Sequence, residues 1–256
     1  MKNTFIQKSK DHRRVNMGGC VLVAHQAEFL PWLGFLSKAA MGDVYFILDT
    51  AQFSKDYFEN RNKIRTHSND GWQWLNIPVK GKKHLPRLID VELESLAWKR
   101  KHLNSIKLAY GRAPFFDKYF PEIQKIIENF DGTKLVEYNC QLIEFAFRCF
   151  KINIPVFRTS QLVRNGYPLT GKATEFVINM CRIVNADVFI AGIDGKEYLN
   201  RERFKEENII LIFQQFSHPI YPQIHGDFLP NMSFIDLLFN CGEDSIKILN
   251  KSQYEK

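Results

Sequence analysis

Two apolar runs in the first fifth of the chain end on residues that can move protons. The run 21–24 closes on His25 and Gln26, and the run 44–48 closes on Asp49. A histidine with an ordinary pKa of about 6.5 exchanges a proton near neutrality. A carboxylate in the same position offers a second base, so His25 and Asp49 are the candidate catalytic residues. Two later runs end in the same way: VFIA (188–191) leads into Gly192, and IILIF (209–213) leads into Gln214 and Gln215. A core histidine with satisfied hydrogen bonds is the competing account of His25.

Other residues suggest a bound anion or sugar. Asn60-Arg61 and Lys101-His102 put amide and cationic groups close to aromatic residues, a combination that could clamp a pyrophosphate or could simply be solvated surface. Trp32 and Trp74 offer flat faces to a sugar or base, or belong to the core. Tyr198 either contacts substrate or opens a helix. The stretch GYPLTGK (166–172) fits the phosphate-loop spacing, but Ala173 replaces the hydroxyl residue that would hold magnesium and Pro168 removes a backbone donor. Lys172 just ahead of a helix could still receive an anion; an ordinary capped helix is the alternative. His218 lies in a proline-bounded loop with His225. Their spacing is not that of a metal site, so no metal is expected.

These groups need a scaffold that collects strand ends. CVLVAH (20–25), a helical stretch at 32–41 and VYFILD (44–49) form a strand–helix–strand unit. WQWLNIPV (72–79) and RLIDVEL (87–93) read as two strands of a hairpin. Helical spacing follows at about 98–111, 117–129 and 133–150. Strand and helix then alternate: IPVFRTS strand, 174–184 helix, 186–192 strand, 197–207 helix, 209–216 strand, 233–240 helix. The alternation predicts an α/β fold, with a mostly parallel sheet, helices on both faces and a helical insertion in the middle. In such sheets ligands bind beyond the carboxyl ends of the strands, where strand order reverses. His25, Gln26 and Gly192 are expected there.

The chain has 256 residues, a formal charge of +7 and a pI of about 9.1. That balance suits an anionic ligand such as a nucleotide, a sugar nucleotide, a carrier protein or RNA. No apolar stretch approaches the ~20 residues that span a bilayer, and the basic N-terminal residues lack the apolar centre of a secretory signal. Residues 1–18 are therefore expected to form a disordered basic tail. Residues 19–250 should form a single α/β domain with a helical subdomain at about 95–150, in a cytoplasmic protein. The five cysteines are widely spaced and read as free thiols.

Taken in order, HQ-x-x-x-LPWLGF (25–35), DVYFILD-x-x-QFSK (43–55), NRNKIRT (60–66), WLNIPV (74–79), W-x-x-KH (98–102), ADVFIAG (186–192), FQQFSHPIYPQ (213–223) and FLPNMSFIDLLFNCG (228–242) resemble the WbqC-like protein family. The likeness covers roughly residues 20–245. Members of the family usually have Pro-Asn where this chain has Ala27-Glu28. The family's occurrence in clusters for O-antigen and other surface polysaccharides implies a transferase that places a glycyl or other acyl group on a nucleotide-linked amino sugar. The donor would be an acyl carrier protein thioester, an aminoacyl-tRNA or an adenylate; nothing identifies a cofactor. The resemblance adds Gln52 to the substrate-binding candidates. A nucleotidyltransferase-like enzyme and a non-catalytic sugar-nucleotide-binding protein are the alternatives.

Overall fold

The computed structural model describes residues 19–54, 57–81 and 85–251. The expected basic tail at 1–18 lies outside the described residues. The chain packs as two compact units. One comprises the described residues through His25, with Lys38–Leu48 and Ile154–Gln215; the other comprises Gln26–Ser37, Asp49–Asn153 and the residues from Phe216 onward.

The first unit is built on a five-stranded parallel sheet. Its strands are β1 (Val21–His25), β2 (Val44–Ile47), β5 (Val156–Arg158), β6 (Val188–Ala191) and β7 (Ile210–Phe213), in the order β5-β2-β1-β6-β7. β1 is central, with Leu22 opposite Val44 on one side and Phe189 on the other. Successive side chains of a strand point to opposite faces. Leu22, Ala24, Val44, Phe46, Phe189 and Ala191 point to one face. There they meet Leu162 of α5 (Thr159–Arg164), Ile178, Cys181 and Val184 of α6 (Thr174–Val184) and Phe204 of α7 (Arg201–Glu206). On the other face Val23 is 0% exposed and packs where Gly42 closes α1 (Leu33–Met41). Burial on both faces is why these strands are unbroken apolar runs rather than alternating ones. The sheet's edges are less protected: Ile210 on β7 is 57% exposed.

The second unit holds an antiparallel hairpin of β3 (Arg61–Arg65) and β4 (Trp72–Asn76). It also holds α2 (Trp98–Tyr110), α3 (Phe116–Asn129), α4 (Leu135–Cys149), α8 (Phe234–Cys241) and α9 (Ser245–Lys251). The three helices expected in the middle of the chain are α2, α3 and α4. The hairpin differs from expectation. β4 pairs with the polar segment RNKIR, not with residues 87–93. The latter segment instead makes a 3-10 turn at Leu88–Asp90 and an isolated bridge between Leu93 and Val79. Buried asparagines explain how so polar a strand is held. Asn62, on the inward side of β3, donates to the carbonyls of Phe29 (3.2 Å) and Leu30 (2.8 Å). Asn139 of α4 donates to those of Ala27 (2.8 Å) and Glu59 (2.7 Å). The helix expected over 197–207 is shorter: it starts at Arg201, with the Asn200 side chain accepting from the Glu202 and Arg203 amides.

All five cysteines are free thiols, and burial pushes Cys181 up to about 12. Among the described residues no helix is long and apolar enough to cross a membrane.

Candidate functional site at the carboxyl ends of β1 and β6

The chain runs outward from β1 through β2 to β5, then returns to lay β6 on the other side of β1. Strand order therefore reverses between β1 and β6, where open α/β sheets place their ligands. Three residues of the first unit define this point. His25 ends β1 and is half-buried, with its carbonyl accepting from the Leu48 amide at 2.8 Å. Gly192 follows β6 directly. Lys38, in the last turn of α1, is 2% exposed and donates from Nζ to the Ala24 carbonyl at 3.1 Å.

Gly192 has φ −65°, a backbone open to any residue. Its lack of a side chain matters for space. Among the described residues an added Cβ would have only Lys38 Nζ within 4 Å, at 3.9 Å. Gly195 differs, because a Cβ there would press on Ala191, Leu199 and Phe213 at 3.0–3.2 Å. The first glycine keeps room beside an ammonium group, and the second allows close packing. Next to this point Thr159, 0% exposed, donates from its hydroxyl to the Ile47 carbonyl at the end of β2. The Gln214 amide donates to the Ala191 carbonyl.

Other candidates of the first unit lie on the same edge. α6 runs antiparallel to the strands, so the loop containing Lys172 comes before it on the carboxyl side. Thr174 Oγ1 accepts there from the Asn200 amide at 3.0 Å. Lys172 is exposed, and Ala173 has a left-handed φ of 45°. Gln215 follows β7. Tyr198 is 60% exposed, with its hydroxyl pKa raised by burial and by Asp194.

The remaining candidates belong to the second unit, and several spend part of their polar groups on its own structure, while Asn60 Oδ1, His102 Nδ1 and His218 Nε2 are buried with no hydrogen-bond partner among the described residues. Gln26 donates to the Gln52 carbonyl at 2.8 Å, and the Gln52 side chain donates to Leu85 O. Asp49 is 0% exposed; its carbonyl accepts from Ile89 N, and its charge helps raise the Arg87 pKa after the larger effect of Asp90. Asn60 donates to Asn76 Oδ1 and to Ile77 O. His102 is 3% exposed and its Nε2 lies 3.2 Å from Asn76 O. Burial lowers its pKa to about 4, so the ring is neutral at physiological pH. Lys101 beside it is exposed. Trp32 packs edge-on against Phe216 at 5.2 Å, and Arg61 lies over Trp74 at 4.4 Å. His218 is half-buried, hydrogen-bonded to Pro219 O and in ring contact with Phe216 and Phe228. Glu28 is 1% exposed.

Lys38 and Thr159 were not among the sequence candidates. One signal for Lys38 was present. Its helix reads LGFLSKAAM, apolar nearly all round. A helix of that kind is buried, and its one cation is buried with it.

A five-stranded parallel sheet whose order reverses between β1 and β6, with helices packed against it, defines an α/β protein. The chain belongs to the WbqC-like protein family, whose profile matches residues 26–248. It is 27% identical over 224 residues to Uncharacterized protein Rv1507c of Mycobacterium tuberculosis, covering 86% of this chain and 93% of that one. No solved structure matches the chain.

Proposed function

We propose that the protein is a transferase that N-acylates a nucleotide-linked amino sugar, in the assembly of a surface polysaccharide such as O-antigen. The observation that carries the reading is Lys38, a buried ammonium group beside the open space at Gly192. A cation fixed there stabilises negative charge, either on a bound nucleotide or on an oxygen that becomes an oxyanion. His25 takes the base role in preference to Asp49, because it is half-exposed at the end of β1 whereas Asp49 is 0% exposed.

In the reaction, the neutral sugar amine attacks the acyl carbon and a C–N bond forms. The carbonyl electron pair moves onto oxygen, near Lys38. His25 accepts the proton released from nitrogen. Collapse of the intermediate breaks the bond from carbon to the donor's sulfur or oxygen, and the leaving group takes the proton from His25. A positioned base of this kind contributes about 10²–10⁴-fold. The donor is a carrier-protein thioester, an aminoacyl-tRNA or an acyl adenylate.

Calorimetric titration with a panel of sugar nucleotides, then mass spectrometry of mixtures with each donor class, tests the proposal. The expected result is binding of an amino-sugar nucleotide and a product heavier by one acyl group. Binding without any product across all donors would make the protein a sugar-nucleotide carrier instead.

A further inference from the structure

One side of the β3–β4 hairpin, in the second unit, carries rings and cations that the proposed chemistry does not use. Asn62, Ile64 and Leu75 point inward and are at most 2% exposed. Arg61, Lys63, Trp72 and Trp74 are half-buried, and Lys63 stands opposite Trp74 in the strand register. The rings of Tyr57, Phe58, Trp74 and Trp72 make a continuous row, with centroid steps of 5.1, 6.3 and 5.6 Å. Tyr57 is 41% exposed. The cations lie along this row. Arg61 is 4.4 Å from the centre of Trp74, and Lys63 Nζ is 4.0 Å from Trp72 and 5.2 Å from Trp74. The Lys63 charge therefore rests on two indole rings.

We propose that this face binds single-stranded RNA, with bases stacked on the row of rings and phosphates against Arg61 and Lys63. Interleaved aromatic and basic side chains on strands are the chemistry that holds unpaired nucleotides, since each base has a face to stack and each linkage a charge to neutralise. The length of the row favours a strand over one nucleotide, because a lone base needs a single ring. A duplex keeps its bases stacked inside and cannot use the rings. The net charge of +7 agrees with a polyanionic partner. The inference does not rest on the transferase reading; if both hold, the acyl donor is an aminoacyl ester carried on RNA.

The test is fluorescence anisotropy of the intact protein with a labelled RNA hexanucleotide, competed by the same sequence as a duplex and by uridine diphosphate. The single strand should bind at least about tenfold more tightly than either competitor. Trp72→Ala and Trp74→Ala should each weaken binding by about tenfold, whereas Trp72→Phe, which keeps a ring, should largely retain it. Lys63→Gln should reduce the slope of log affinity against log salt by about 0.7. The proposal is overturned if the hexanucleotide does not bind, if uridine diphosphate competes as well as the strand, or if both alanine variants bind normally. None of these readouts involves acyl transfer, so they stand apart from the proposed activity.

Discussion

Lys38 Nζ donates to the carbonyl of Ala24 at 3.1 Å, so an ammonium group is anchored to the backbone one residue before His25. The contact ties the last turn of α1 to the end of β1, and Nζ lies 3.9 Å from where a Cβ on Gly192 would stand. Lys38→Met keeps the length and apolar stem of the side chain and removes the charge. Its expected effect on stability is about 1.5–3 kcal/mol at most, the range for a hydrogen bond to a charged group. Binding of an anionic sugar nucleotide should fall by tenfold or more. Thermal melting and titration calorimetry on the same samples separate the two; unchanged affinity would remove Lys38 from the site.

Gly192 gives a second handle on the same space. Gly192→Ala should fold normally, because φ is −65° and the nearest contact of the new Cβ is 3.9 Å. Gly192→Val projects further toward Lys38 and should weaken ligand binding more than Gly192→Ala, with little change in melting temperature. If both variants bind like wild type, the space is not used.

His25→Ala should leave the fold intact and reduce turnover by about 10²–10⁴-fold, the contribution of a general base. The check is the rate of acyl transfer at saturating substrate, alongside a melting curve. A variant with full activity, or one that fails to fold, would contradict the assignment.

Asn139→Ala is expected to be a stability variant. It strips donors from the Ala27 and Glu59 carbonyls inside the second unit, and a buried group left unsatisfied costs about 1–3 kcal/mol. A loss of ~2 kcal/mol or more in urea unfolding is the expected result.

His102 makes stability depend on pH. Its pKa is lowered by burial to about 4 in the fold, against about 6.5 in the unfolded chain. Between those values the unfolded state binds the extra proton. The contribution is therefore complete above about pH 6.5 and is lost as pH falls toward 4, by up to ~3 kcal/mol. His218 and His225 are shifted downward by burial and act in the same direction, whereas Glu59 and Asp236 are shifted upward and oppose it. The difference between wild type and His102→Gln, measured by denaturation at pH 7 and pH 4.5, isolates the one ring. A difference that does not change with pH would refute the shift.

The parallel sheet was legible because its strands are buried on both faces and so read as apolar runs. The hairpin was only half legible. RNKIR carries three cations in five residues, and what makes it a strand is a set of long-range bonds from Asn62 together with pairing to β4. RLIDVEL alternates well enough to suggest a strand, yet Leu88–Asp90 closes into a tight turn. At the candidate site, His25 and Gly192 could be found because they end apolar runs. Lys38 could not be found that way, since it lies inside a helix, where a lysine usually points to solvent. Asn60 and His102 look like ligand-binding groups in the sequence, but only the tertiary structure shows Asn60 Nδ2 and His102 Nε2 engaged by Asn76 and Ile77, with Asn60 Oδ1 and His102 Nδ1 left buried and unpartnered among the described residues.

The central position of β1 has a consequence for how the molecule is made. β1 is complete at His25, but its neighbour β6 begins at Val188. A nascent chain can pair β1 with β2 early and must then hold the other side of β1 open until most of the sequence has been synthesised. Parallel pairing across so long a separation is slow to nucleate, and an apolar edge exposed meanwhile is prone to association. Refolding from denaturant should therefore depend on protein concentration, and a chain truncated before Val188 should be recovered mainly as aggregate.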